Sequence, residues 1–284
     1  MRFAENELKT HDGMRLFVRR FEPSSGTASR TVIIVHGLCE HGTRYDHISE
    51  LLTEHSWNVV VPDLRGHGRS DGVPVHVKKF RHYIRDVEMI HRHYGLVPER
   101  TALLGHSMGG LVSLRFAQLQ PDAVGALVLM SPLLAVKVPI PLRTIAAGRV
   151  LSFVAPRTRF RSRVAPCYTT HNEEVLARRM EDPLMHRSVT AGWYFAMKSS
   201  LAAAWKDADR IDMPVLIMQA GDDKLVDEAA PGQWLQRVPS DDTTLHDLPD
   251  HYHELLNEPD WRDTSETVFD WLNHRIVKNG HAAT

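Results

Sequence analysis

The 284-residue sequence has little cysteine. Cys39 and Cys167 cannot build a disulfide framework, and their scarcity points to a reducing compartment. It has no excess of charge: 34 Lys and Arg stand against 35 Asp and Glu, which removes the electrostatic footprint of a nucleic-acid binder. No apolar run approaches the roughly 20 residues of a membrane span, and Met1-Arg2-Phe3-Ala4-Glu5-Asn6 lacks the apolar stretch of a signal peptide. A cytoplasmic protein is expected, peripheral at a membrane at most. There is no internal repeat and no H-E-x-x-H. His91-x-His93 falls on a predicted helix, where i and i+2 do not share a face, and His251-x-His253 has no matching carboxylate-histidine cluster. Neither a metal nor a cofactor is therefore expected.

What is present is an alternation of short apolar runs and amphipathic stretches. Residues 7–10 and 14–21 flank His11-Asp12-Gly13, which reads as a hairpin turn. Strands are expected at 31–35, 58–61, 101–104, 124–130, 214–220 and 243–248. Helices are expected at 44–54, 111–120, from about 228, and at 261–277. Phe80, Ile84, Val87, Ile90 and Tyr94 recur at three and four and mark a further helix. Strands alternating with helices predict a mostly parallel central sheet with helices on both faces. The alternation breaks between Ser131 and Pro214. The predicted division is a core of 1–132 and 214–284, with 133–213 as a helical lid above the carboxyl edge of the sheet, where ligands bind in such folds. Within it, Thr170-x-x-Glu173 reads as a capping box. Val189, Trp193, Met197, Leu201 and Trp205 fall at four-residue spacing on one helix face, suited to covering a pocket or to packing onto the core. Residues 131–172 hold no Asp or Glu but seven cations: Lys137, Arg143, Arg149, Arg157, Arg159, Arg161 and Arg163. The favoured reading is a solvated face paired with carboxylates elsewhere. The alternative is transient contact with anionic lipid, with Val150, Leu151, Phe153 and Val154 dipping into the interface.

The chemistry-bearing feature is Gly105-His106-Ser107-Met108-Gly109-Gly110, between the strand at 101–104 and the helix at 111–120. Strand, G-x-S-x-G and helix is the setting of a nucleophile elbow, a sharp turn that lifts a serine hydroxyl above the sheet. A serine hydroxyl is a weak nucleophile until a base takes its proton, and the base is usually a histidine oriented by a carboxylate. In this arrangement the order is serine, acid, histidine. The loop after strand 214–220 offers Asp222, Asp223 and Asp227 as acids, and the loop after strand 243–248 offers His251 and His253 as bases. Spacing alone does not choose among them. An oxyanion hole needs two backbone N–H groups. Met108, after the nucleophile, supplies one, and Leu38 in His36-Gly37-Leu38-Cys39 supplies the other.

Four segments carry a resemblance. His36-Gly-Leu-Cys-Glu-His41-Gly-Thr-Arg-Tyr45 resembles the HGxxEHxxRY segment of monoacylglycerol lipases and lysophospholipases. Asp63-Leu-Arg-Gly-His-Gly-Arg-Ser70 resembles the D-x-R-G-x-G-x-S segment of the wider α/β-hydrolase superfamily, and residues 105–110 match its elbow. Gly221-Asp-Asp223-Lys-Leu-Val226 and Tyr252-His253-Glu-Leu-Leu-Asn-Glu258 resemble its acid and histidine loops, which favours Asp223 and His253. One departure is Cys39, where the lipases commonly carry glycine. The resemblance implies an α/β-hydrolase fold and a serine hydrolase cleaving a glycerol-ester lipid, a monoacylglycerol or lysophospholipid, through an acyl-enzyme. Small-ester carboxylesterase, acyltransferase and aminopeptidase are alternatives on the same triad, and a non-catalytic ligand binder on this fold is a distant one. His106 is expected to pack the elbow, His36 to brace the oxyanion loop, and Asp63, Arg65 and Ser70 to fix a loop.

Overall fold

A computed structural model of the chain describes residues 1–24, 28–161 and 165–276. It opens with a hairpin, β1 (Arg2–Lys9) and β2 (Arg15–Glu22), whose turn places Gly13 at a φ of +85°. There follow β3 (Arg30–Val35), α1 (Asp46–Glu54), β4 (Trp57–Pro62), α2 (Arg81–His93), β5 (Thr101–His106), α3 (Met108–Leu119) and β6 (Ala126–Met130). The stretch before the next sheet strand holds α4 (Leu142–Val154), β7 (Arg159–Arg161), α5 (Glu173–Glu181), β8 (Ser188–Thr190) and α6 (Ala191–Lys206). The chain closes through β9 (Val215–Ala220), α7 (Ala230–Leu235), β10 (Thr243–Leu248) and α8 (Trp261–Arg275). Arg163 and Val277, and residues 25–27 of the polar loop after β2, lie outside the described residues.

The main sheet runs β1-β2-β4-β3-β5-β6-β9-β10. β1, β2 and β4 pair antiparallel and every other neighbour pairs parallel. Strands β3, β5, β6 and β9 are buried along their whole length, as central strands covered on both faces must be. Successive residues go to opposite faces. Ile33, Val35, Leu103, Leu129 and Ile217 join the core beneath α2, α3 and α6. Val32, Ile34, Leu104, Val128 and Leu216 join the core beneath α1 and α8. From β3 the chain first builds outward to β4 and then crosses back to β5. The order therefore reverses at the β3/β5 boundary, and the carboxyl ends of those two strands carry His36-Gly37 and His106-Ser107.

The segment between β6 and β9 departs from its expectation in three places. Thr170 does not cap α5. Asn172 does, accepting from Val175 N, while the Thr170 hydroxyl donates to Asn257 O. The capping-box spacing is met, but α5 begins only at Glu173, so the Thr170 hydroxyl accepts from Asn172 N at 3.0 Å in the turn ahead of the helix. Val189 does not share a helix with Trp193, for it lies on β8 opposite Phe160 of β7. It still reaches the same cavity as Trp193 and Met197, and Leu201 and Trp205 pack on the core, so the stripe does both jobs. Of the seven cations only Lys137 pairs with a carboxylate, Glu228, among the described residues. Full compensation is not found: Arg149 instead stacks on Phe153 and Phe195. Beyond the segment, the helix expected from about residue 228 is confined to the six residues of α7.

Candidate active site

Ser107 joins β5 to α3 with φ +52° and ψ −115°, a conformation that residues with a Cβ rarely adopt. Its N–H donates to Met130 O at 3.0 Å and its carbonyl accepts from Leu133 N at 3.0 Å, so neighbouring strands hold the turn. The flanking glycines serve by leaving space. A Cβ on Gly105 would strike Gly109 O, and one on Gly109 would strike Val35 O and His36 O. α3 therefore starts pressed against the end of β3. Met108 is its first residue, with an N–H that the helix itself cannot use. Neither Met108 N nor Leu38 N donates to a protein acceptor among the described residues.

The histidine loop follows β10 and the acid loop follows β9. His253 Nδ1 meets Asp223 Oδ2 at 2.7 Å, with both side chains buried. Asp223 Oδ1 accepts from Leu225 N at 2.8 Å and Val226 N at 3.0 Å. Burial opposes the Asp223 charge, but the His253 ring and the two amides outweigh it and hold the carboxyl below its usual range. The competing residues are occupied elsewhere. Asp222 pairs with Lys224, Asp227 accepts from Ala229 N, and His251 Nε2 meets Asp260 at 2.9 Å. Ser107, His253, Leu38 and Cys39 line one cavity of about 890 Å³. Its walls are mostly apolar and come largely from the segment between β6 and β9. Burial pushes the Cys39 thiol up to about 12, so this cysteine is a neutral wall residue, held at φ +65°.

The supporting residues are bonded as expected, and more. His36 spans the loop with Nδ1 against Gly37 O at 2.8 Å and Nε2 accepting from Leu64 N at 2.9 Å. Asp63 accepts from Gly42 N and Arg69 N at 2.7 Å each, and Ser70 donates to Asp63 O. Arg65 forks onto Asp86 and also reaches Asp12. Sequence reasoning missed a buried ionic chain beside the candidate triad. Arg44 donates to Glu40 at 2.5 Å and to Glu254 at 2.6 Å, and Arg179 of α5 also donates to Glu254. Burial disfavours the Glu254 charge, but the two guanidiniums outweigh it and hold the carboxyl at about 2. Glu40 and Arg44 stand in the H-G-x-x-E-H-x-x-R-Y segment, so their spacing was the available signal. Nothing in the sequence marks Arg179.

Residues 26–260 match the family model Hydrolase_4, described as serine aminopeptidase, S33. The chain belongs to this family. A phospholipase, YtpA, of Bacillus subtilis is 30% identical over 82% of this chain and 90% of its own length. The mouse (Mus musculus) monoglyceride lipase is 31% identical over 95% of this chain and 90% of its own. The crystal structure of a monoacylglycerol lipase from Paleococcus ferrophilus superposes with a TM-score of 0.81 at 27% identity, covering 96% of this chain and 98% of that one. The resemblance to monoacylglycerol lipases is thus borne out, and the Hydrolase_4 chain described here is a serine hydrolase of the α/β-hydrolase fold. Among its described residues no helix is long and apolar enough to cross a membrane, and no group of three or more His, Cys, Asp or Glu could hold a metal ion.

Proposed function

We propose that the chain cleaves an ester of a glycerol lipid, a monoacylglycerol or a lysophospholipid, through an acyl-enzyme on Ser107. His253 takes the Ser107 proton as the hydroxyl attacks the ester carbonyl. Asp223 orients the ring and balances its charge. The N–H groups of Leu38 and Met108 receive the oxyanion. His253 returns the proton to the leaving glycerol oxygen, and water activated by the same ring releases the fatty acid. The observation carrying this reading is the Asp223–His253 hydrogen bond on the wall of a large apolar cavity shared with Ser107. Such a cavity suits an acyl chain. It suits an aminopeptidase substrate poorly, because a free α-ammonium needs an uncommitted carboxylate. The two acidic residues lining the cavity, Glu40 and Glu254, are already ion-paired with Arg44 and Arg179.

Residues 133–213 serve in this reading as a lid over a core of 1–132 and 214–284. Its α4 exposes Leu142, Val150, Phe153 and Val154, each more than half accessible, beside Arg143 and Arg149, neither of which meets a carboxylate among the described residues. This face supports transient contact with an anionic membrane surface, from which an insoluble ester would enter the cavity.

Three experiments test the reading. Ser107→Ala lowers kcat on a monoacylglycerol by roughly a million-fold and abolishes labelling by a fluorophosphonate, while near-wild-type turnover overturns the mechanism. A panel of monoacylglycerols, lysophospholipids, short aryl esters and aminoacyl amides shows preference for the lipid esters, and preference for the amides overturns the substrate class. Sedimentation with phosphatidylglycerol vesicles, lost in Phe153→Ser with Val154→Ser, checks the membrane face.

A further inference from the structure

His106, the residue before Ser107, is buried at the end of β5, and both of its ring nitrogens face acceptors. Nδ1 lies 3.1 Å from Glu40 Oε1 and Nε2 lies 3.2 Å from the carbonyl oxygen of His253. A carbonyl cannot donate. Neither can Glu40, whose charge is fixed by the donors around it: Gly37 N–H at 2.5 Å and the Tyr45 hydroxyl at 2.8 Å on Oε1, and Arg44 at 2.5 Å on Oε2. A neutral imidazole has one N–H. It would leave a bare ring nitrogen against an acceptor in a dry site, where an unmade hydrogen bond is costly. His36 shows the contrasting case on the same loop, with one nitrogen facing a carbonyl and the other accepting an amide, the pattern of a neutral ring.

We propose that His106 is a doubly protonated imidazolium in the resting enzyme, and that it positions the catalytic residues by tying three loops together. The inference rests on the reading of Ser107, Asp223 and His253 as the reacting set, and assigns His106 a role beyond it. Through Glu40 the ring holds Gly37 N–H and hence the loop bearing Leu38. Through Nε2–H it holds the backbone of His253, while its own backbone adjoins Ser107. Contact is close enough that a Cβ on Gly37 would lie 2.7 Å from Glu40 Oε1 and 2.9 Å from His106 Nδ1. The charged and titratable groups facing the ring are Glu40 from the loop after β3, and Glu254 and His253 from the loop after β10. Arg44, ahead of α1, bridges the two glutamates, and Arg179 from α5 caps the second. With Asp223 behind His253, three carboxylates stand against two guanidiniums and one imidazolium, so a charged His106 ring leaves the cluster balanced. Burial disfavours a charged ring, but the hydrogen bond and charge of Glu40 outweigh it and hold the His106 proton more tightly than usual. The tie is therefore intact at and below the ordinary histidine range. It is lost as pH rises through the elevated value, when one of the two ring bonds must break.

The test is the ring itself. In protein labelled with ¹⁵N-histidine, at about pH 7, His106 shows protons on both ring nitrogens, assigned by their loss in His106→Gln. A ring with one bare nitrogen overturns the proposal. Glu40→Gln removes the charge that the second proton answers to. That variant loses one of the two ring N–H signals, and kcat falls roughly tenfold to a hundredfold, as for one hydrogen bond to a charged group, with KM little changed. A Glu40→Gln protein that keeps both signals and full kcat overturns it too. Should that variant fail to fold, the wild-type spectrum decides alone. Ser107→Ala separates the two readings. Activity retained in Ser107→Ala overturns the triad, whereas an inactive Ser107→Ala whose His106 ring carries one proton overturns this inference only.

Discussion

Replacing Asp223 by asparagine changes one atom in the site and tests the assignment of the acid. The carboxylate makes three contacts: Oδ1 accepts two backbone amides at 2.8 and 3.0 Å, and Oδ2 meets His253 Nδ1 at 2.7 Å. An asparagine carbonyl can keep the two amides. Its NH₂ group then stands where Oδ2 stood, aimed at Nδ1. The ring can accept that hydrogen bond only by carrying its own proton on Nε2, the nitrogen that must be bare to take the Ser107 proton. The base is thus locked in the unproductive tautomer, and the charge that balances the imidazolium is gone. We expect kcat to fall about ten-thousandfold, which corresponds to about 5.5 kcal/mol of transition-state stabilisation. The fold should not suffer. Asp223 is fully buried, burial opposes its charge, and a neutral amide with the same shape keeps both backbone bonds. The assay is kcat on a short aryl ester, with thermal denaturation and fluorophosphonate labelling measured alongside. A folded variant within about tenfold of wild type would refute the tautomer argument.

Arg65→Met leaves Asp86 buried without its fork and lowers stability by about 3–5 kcal/mol in thermal denaturation. Burial already raises Asp86 to about 6 despite Arg65, and losing Arg65 raises it further, so the variant recovers part of this loss as pH falls through that higher value and the carboxyl takes up a proton. Glu254, held at about 2 against an ordinary 4.5, contributes stability that is complete above the ordinary value. That contribution disappears as pH falls towards 2, which chemical denaturation at stepped acid pH will show as a falling midpoint. Iodoacetamide followed by mass spectrometry will find the exposed Cys167 alkylated well before Cys39, whose buried thiol stays protonated; equal rates would refute the packed oxyanion loop.

The fold was legible where short-range chemistry decides it. The central strands are continuous apolar runs because both faces are covered, and they stop where His36, Ser107 and the acid loop begin. The three residues proposed as a triad were placed for the same reason: each follows a recognisable strand. Choosing Asp223 over Asp222 and Asp227 needed the resemblance, because what separates them is burial and a partner some thirty residues away. Where the sequence misled, a non-local contact had won. Thr170 has the spacing of a cap, but its hydroxyl donates to Asn257 O and accepts from Asn172 N, and the helix starts two residues late, at the Asn172 cap. Val189 keeps the four-residue rhythm of α6 from an adjoining strand, since an extended residue can face the same cavity. The Arg44–Glu254 and Arg179–Glu254 pairs join residues 210 and 75 positions apart, and no periodicity reports such a meeting.

The left-handed backbone of Ser107 has a consequence for how such a protein can change over generations. A residue with a Cβ in that region costs on the order of 1–3 kcal/mol, and the surrounding sheet supplies it whether or not the hydroxyl is used. Glycine would relieve that cost. Ser107→Gly should therefore denature at a higher temperature than the native chain while turning over nothing. Loss of catalysis lies downhill in stability here, so a lineage released from selection for turnover would drift first at the nucleophile and keep its cavity. A stable, silent binder is the nearest neighbour of this enzyme in sequence space, one substitution away.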